Sequence, residues 1–254
     1  MEGHDYNNRA AVPSWNDYFT DWRHRSKVIR ARAGATLDIS YGAHPRERVD
    51  WFAAGAPALT LVFVHGGYWQ WGNKEEFAFL AEPWLDTGAA VAMLGYPLAP
   101  AATVPEIMES VRRGIAFVTD KSEGELVVMG WSAGAQLAVQ ACAATAKVIG
   151  LSGIYDLRPL LVTPINDALK MNAEMAIRCS PALKPPQVNC LVGVGADERP
   201  ELRQQTEGYF DAVQAKRVPA VLHEWPGLNH YSILDACAAE DSAVFKDIQR
   251  FISS

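Results

Sequence analysis

Three residue types in this chain have the spacing to activate a hydroxyl group. Gly130-Trp131-Ser132-Ala133-Gly134 has the G-x-S-x-G pattern of a nucleophile elbow. In such an elbow a serine sits on a strained strand-to-helix turn with its oxygen exposed, so small residues are needed two positions to either side. A free serine is a weak nucleophile and needs a positioned base. Of six histidines, His4, His24 and His44 lie in polar N-terminal sequence and are expected at the surface, and His223 lies inside an apolar run where it faces solvent or packs. His230, in WPGLNHYSIL, follows the last apolar run and precedes the final helical pattern. In a parallel α/β sheet that loop emerges at the carboxyl edge, where reactive groups converge, so His230 is the expected base. The orienting acid should lie between them in chain order. LVGVGADERPE supplies two adjacent carboxylates, Asp197 and Glu198, and alternation along a strand lets only one point at the site. Glu201, further on, is expected to open the helix PELRQQ.

Attack on a carbonyl also creates an oxyanion, which requires preorganised N–H donors. One is expected from Ala133, directly after the nucleophile. Others are expected from LTLVFVHGGYWQWGNK, an apolar run that stops at His65 and two glycines. Glycines there let the backbone approach a substrate, which makes Gly67 and Tyr68 the expected donors. His65 is expected to brace the loop; as a metal ligand it lacks partners at useful spacing. Tyr68, Trp69 and Trp131 flank the reacting atoms in sequence and would suit the walls of a pocket for a flat aromatic substrate. Together with Trp71, they could equally pack the loop.

The elements that must hold these residues are legible as apolar runs. LTLVFVHG, AAVAMLGY, ELVVMGW, AKVIGLSG, NCLVGVGAD and AVLHEWPG show little polar alternation, as in a parallel sheet covered on both faces. ATLDISYG and ERVDWFAAG alternate more and suit edge strands. Helical patterns intervene: VPEIMESVRRGIAFVTD with Ile107, Val111, Ile115 and Val118 on one face, small apolar SAGAQLAVQACAA, and amphipathic PELRQQTEGYFDAVQAKR and DSAVFKDIQRFISS. This alternation predicts one α/β domain over 1–254, with a mostly parallel eight-stranded sheet flanked by helices. Residues 154–186 break the rhythm and are expected to form a small helical, cap-like insertion over the carboxyl edge.

With 254 residues, 49% hydrophobic and 20% charged, the chain can bury one large core. A net charge of -6 argues against nucleic-acid or acidic-membrane partners. Cys142, Cys179, Cys190 and Cys237 have no metal-ligand spacing and read as reduced thiols of a cytosolic protein. The N-terminal segment has no signal-peptide pattern, and apolar runs of about ten residues are too short to span a membrane.

HGGYWQ, then Lys74 with FAFLA, GYPLAP, GWSAGA, LSGIYDL and PELRQQ, together with the early YNNRAAVP, resemble the kynurenine formamidase (arylformamidase) family. That family is an offshoot of the esterase/lipase branch of α/β hydrolases, and the resemblance runs from about residue 6 to 250. HGGYW is fairly specific to the group, whereas G-x-S-x-G is shared by many hydrolases. The resemblance implies an α/β-hydrolase fold and hydrolysis of N-formyl aryl amines such as N-formylkynurenine, a reaction of tryptophan catabolism, to formate and the free amine. It implies no metal or cofactor, a small aromatic formamide or ester as substrate, and a cytoplasmic location, and it allows a homodimer. It matches Ser132 to the nucleophile and His230 to the base. An ungapped match over PELRQQ places Glu198 at the acid position, with Asp197 one residue off. Two departures bear on the substrate pocket: Trp131 stands where the family commonly has histidine, and NHYSIL is only loosely similar. A carboxylesterase, amidase or thioesterase acting on another small aromatic acyl group, in secondary metabolism, is the rival expectation. A sensor without turnover would have lost a triad residue type, and none is lost.

Overall fold

Runs such as Leu59–Val64 are apolar at every position because both faces of the strand are covered. Val62 and Val64 point into one core layer and Leu61 and Phe63 into the other. The structure, a computed structural model, describes residues 6–32, 34–53, 55–142 and 147–254. The surface position expected for His4, and the ends of expected elements at Ala54 and at 143–146, lie outside the described residues.

The strands are β1 (Ala35–Ser40), β2 (Arg48–Phe52), β3 (Leu59–Val64), β4 (Ala90–Leu94), β5 (Glu125–Trp131), β6 (Lys147–Leu151), β7 (Cys190–Gly195) and β8 (Ala220–Trp225). They form one eight-stranded sheet in the order β1-β2-β4-β3-β5-β6-β7-β8. The pairs β1/β2 and β2/β4 are antiparallel, and every other pair is parallel. This is the α/β-hydrolase fold. One expectation shifts: only β1 is an edge strand at this end, while β2 lies between β1 and β4 and is largely buried. The other edge is β8, partly open to solvent along most of its length.

The helices are α1 (Asn8–Ala11), α2 (Trp15–Arg30), α3 (Glu82–Asp86), α4 (Val104–Lys121), α5 (Ala133–Ala141), α6 (Asn166–Leu169), α7 (Ala173–Arg178), α8 (Pro200–Ala215), α9 (Ser232–Cys237) and α10 (Ala243–Ile252). Helix α4 starts where Glu106 accepts from the Thr103 backbone N–H at 2.7 Å, and it buries Ile107, Val111, Ile115 and Val118 as their spacing predicts. On one face α4, α5 and α8 cover the sheet; on the other lie α2, α3, α9, α10 and the 3-10 segment Lys74–Ala81. Helix α2 is an element the sequence reading passed over. Phe19, Trp22, Ser26 and Ile29 form its buried stripe, while most other positions are polar.

Residues 154–186 contain the short 3-10 turn Arg158–Val162 with α6 and α7 and no strand. The insertion is tied down by Gln205 of α8, whose Oε1 accepts from the backbone N–H groups of Tyr155 (2.8 Å) and Asp156 (2.7 Å). No helix among the described residues is long and apolar enough to cross a membrane. Cys179, Cys190 and Cys237 are buried free thiols, and Cys142 is half-buried. Burial pushes the Cys142 and Cys190 thiols up to about 12, so both are inert near neutral pH.

Candidate active site

Ser132 stands between β5 and α5 with φ 57° and ψ -123°, a conformation that a residue with a Cβ adopts only under constraint. Three contacts impose it. The Ser132 N–H donates to the Leu151 carbonyl of β6 at 2.8 Å. A Cβ at Gly130 would come within 2.1 Å of the Gly134 carbonyl oxygen, and one at Gly134 within 2.1 Å of the Val64 oxygen. The two motif glycines are therefore required by close approach of backbone, and the serine is held at the sheet's carboxyl edge. Ser132 lines a cavity of about 310 Å3.

His230 reaches the same cavity from the loop between β8 and α9. Asn229 shapes this turn: its Oδ1 accepts from the N–H groups of Tyr231 (2.9 Å) and Ser232 (3.0 Å). The Trp131 indole N–H donates to the His230 carbonyl at 3.0 Å, and its ring centroid lies 4.8 Å from that of the imidazole. Trp131, beside Ser132, thus pins the histidine loop as well as lining the cavity.

His230 Nδ1 lies 2.7 Å from Glu198 Oε2. A carboxylate oxygen accepts, so Nδ1 donates and Nε2 keeps a lone pair for a proton from elsewhere. The Glu198 side chain is wholly buried. Its second oxygen accepts from Ser152 Oγ (2.5 Å) and from the Gly195 N–H (2.9 Å). Asp197, the rival acid, is exposed, and its N–H is spent on the Leu228 carbonyl. The turn after β7 directs one carboxylate inward and the other to water. Ser152 was missed in the sequence; its signal was the LSG after β6, at the same sheet edge.

The third wall is the loop after β3. Gly66, Gly67 and Tyr68 line the cavity. Gly67 has φ +118°, open only to glycine at low cost. Its carbonyl accepts from the Gln70 and Trp71 N–H groups at 2.9 and 3.1 Å, which folds the loop back on itself. Among the described residues, nothing accepts from the N–H groups of Gly67, Tyr68 or Ala133. Three donors at one sheet edge, beside a serine, suit a developing oxyanion.

His65 is fully buried, 4.3 Å from the Tyr96 ring and 5.7 Å from the Phe77 ring by centroids. Its Nδ1 donates to the Gly66 carbonyl at 2.7 Å, and Tyr96 Oη donates to the His65 carbonyl at 2.6 Å. Burial lowers its pKa to about 4, so the ring is neutral near pH 7. The loop's far end is fixed by buried Lys74, whose ammonium reaches Asp50 (2.6 Å) and Asp38 (2.7 Å).

The aromatic walls are only partly those expected. Tyr68 and Trp131 line the cavity, but Trp69 does not. Tyr68 and Trp69 both have positive φ, and this twist turns Trp69 into the core, where it is fully buried and its indole N–H donates to Gln136 at 3.0 Å. Trp71 takes its place in the lining, with Phe19, Phe77 and Tyr231. The N-terminal segment Tyr6–Arg9 and Pro164–Ile165 of the insertion complete it. Tyr68 Oη donates to the Tyr6 carbonyl, and Gln205 Nε2 donates to Tyr6 Oη at 2.9 Å. This strap across the site had no sequence signal beyond YNNRAAVP. Of the remaining histidines, His24 is exposed, half-buried His44 accepts from the Arg46 N–H, and His223 stacks on Trp225.

Residues 53–174 match the BD-FAE family. The kynurenine formamidase of Salmo salar is 33% identical over an alignment of 241 positions, gaps included, that covers 86% of this chain and 82% of the fish protein. That of Danio rerio is 32% identical over 252 aligned positions, gaps included, covering 90% of this chain and 86% of its own. Among solved structures, a Silicibacter sp. TM1040 protein provisionally described as a thioesterase is 30% identical, with a TM-score of 0.87 over 96% of this chain and 97% of that one. Esterase B of Lactobacillus rhamnosis shares the fold at 13% identity, with a TM-score of 0.71 over 97% of this chain and 96% of its own. By these similarities over most of its length the chain belongs to the kynurenine formamidase family of α/β hydrolases, and it is a hydrolase.

Proposed function

We propose that the protein hydrolyses an N-formyl aryl amine of the N-formylkynurenine type by a serine mechanism. Ser132 Oγ attacks the formyl carbon while His230 Nε2 takes the hydroxyl proton. The carbonyl oxygen becomes an oxyanion and is held by the N–H groups of Gly67, Tyr68 and Ala133. The tetrahedral intermediate collapses, the C–N bond breaks, and His230 gives its proton to the departing aryl nitrogen. Water, deprotonated by His230, then attacks the formyl ester on Ser132. Formate leaves, and the serine recovers its proton. Glu198 keeps His230 in the tautomer that both steps need and stabilises the transient imidazolium.

The observation that carries this reading is the Ser152–Glu198–His230 chain ending in the cavity that Ser132 and the HGGYW loop also line. The kynurenine formamidases among its relatives favour the formamide substrate. The aromatic lining, with Trp131, Trp71, Tyr68 and Phe77, suits an arylamine leaving group.

A second reading, hydrolysis of a small aromatic ester or thioester by the same residues, is favoured by the similarity to the Silicibacter protein. Side-by-side kcat/KM values for N-formylkynurenine, N-formylanthranilate and p-nitrophenyl acetate separate the two. The formamide reading expects the formamides to lead; a strong lead for the simple ester would reject it.

A further inference from the structure

Arg9 has an arrangement that the hydrolytic mechanism does not use. It follows the strap residues Tyr6–Asn8 and lines the same cavity as Ser132 and His230. Its guanidinium carbon lies 3.8 Å from the Trp71 ring centroid and 4.2 Å from that of Trp15, so two indoles pack against it. Its Nε is buried and has no hydrogen-bond partner, and among the described residues no carboxylate forms an ion pair with it.

Stacking fixes a guanidinium by its faces and leaves the N–H donors at its edge, in one plane. A carboxylate is the group whose two oxygens match that edge. A cation held at an apolar wall with a donor unsatisfied gains most from an anion that arrives with the ligand. Among the described lining residues, Arg9 is the one that carries a permanent charge.

The preceding residue supports a ligand at this end of the cavity. Asn8 is buried, with 4% of its surface exposed, and lines the cavity too. Its Nδ2 donates to Tyr68 Oη at 3.1 Å, and the Tyr68 hydroxyl proton is committed to the Tyr6 carbonyl, which fixes the amide's orientation. Asn8 Oδ1 is left buried with no partner. An unpaired buried acceptor is destabilising, so it too is suited to a group that the ligand brings, namely an N–H.

We infer that Arg9 is a specificity-determining residue that binds a carboxylate of the substrate, so that the preferred aryl formamides are anionic. The inference rests on the formamidase reading for the identity of the substrate. Its binding geometry stands independently of turnover.

The test has two arms. In the first, kcat/KM is measured for N-formylkynurenine, N-formylanthranilate and neutral formanilide with wild type, Arg9→Gln and Arg9→Lys. The better carboxylated substrate should exceed formanilide by about 10- to 100-fold, as charge-assisted pairing implies. Arg9→Gln should shrink that ratio to within a few-fold, chiefly through KM, and Arg9→Lys should restore part of it. Labelling of Ser132 by a fluorophosphonate verifies that each variant is folded at the site. In the second arm, calorimetry measures binding of kynurenine, anthranilate and aniline to Ser132→Ala, with and without Arg9→Gln. Carboxylated ligands should bind at least tenfold more tightly than aniline, and only with Arg9 present. If no formamide is cleaved while the calorimetric difference holds, the formamidase reading fails and the Arg9 assignment stands. Equal kcat/KM for formanilide and both carboxylated substrates, or a preference that survives Arg9→Gln, would overturn the assignment.

Discussion

Two buried histidines frame this site, and their surroundings make them opposites. His65 and His230 both follow sheet strands at the carboxyl edge, with 0% and 5% of their surface exposed. His230 Nδ1 meets the carboxylate of Glu198, and its ring lines the cavity. His65 Nδ1 meets a neutral carbonyl, the ring is stacked between Phe77 and Tyr96, and Nε2 is sealed in without a partner. A carboxylate stabilises an imidazolium; a carbonyl between aromatic rings does not compensate its desolvation. His230 is thus buried with a carboxylate for a partner, whereas burial lowers the pKa of His65 and leaves that ring a neutral brace.

Breaking this contrast should give effects of very different size. His230→Ala should lower kcat for the preferred acyl substrate by about 10^5- to 10^6-fold, as loss of a triad base does. Glu198→Gln, which keeps the shape but removes the charge, should cost about 10^3- to 10^4-fold; a loss below tenfold would show that Glu198 does not orient the base. Ser152→Ala removes a donor to Glu198 and should cost about 10- to 100-fold in kcat, with thermal stability little changed.

His65→Phe should act on stability rather than chemistry, with kcat within about tenfold of wild type. Its ring binds a proton only near pH 4 in the folded protein but at 6.5 unfolded. The unfolded state therefore holds more protons between those values, and folding stability falls as pH drops from 6.5 towards 4. The interval corresponds to about 3 kcal/mol. Urea unfolding at pH 7 and pH 4.5 should show this loss in wild type and a smaller one in His65→Phe; identical acid losses would refute the assignment. The smallest effect belongs to Asp197→Asn, which should leave kcat/KM within about twofold because that side chain faces water.

The parts of the fold carried by local pattern were legible. Strands covered on both faces must be apolar throughout; six apolar runs mark β3 to β8, and two alternating runs mark β1 and β2. That Ser132, His230 and the Asp197–Glu198 pair gather at one sheet edge followed from chain order and strand ends. What escaped depends on backbone twist or on contacts between distant segments. The choice between Glu198 and Asp197 is made by a turn after β7. Trp69 and Trp71 exchange the roles expected of them because consecutive positive φ values abolish any period of two or 3.6 residues. Helix α2 hides a narrow buried stripe among charged residues, and the strap Tyr6–Arg9 is held by contacts with distant Tyr68, Gln205 and the indoles. Trp131 was read as a wall; its hydrogen bond to the His230 loop, 99 residues away, has no local signature.

Formate release from N-formylkynurenine by wild type and by Ser132→Ala tests the account most directly. The variant should keep its melting temperature and lose about a millionfold in kcat, since removing such a nucleophile leaves only binding and the oxyanion donors. A Ser132→Ala enzyme that releases formate within tenfold of the wild-type rate would contradict the account.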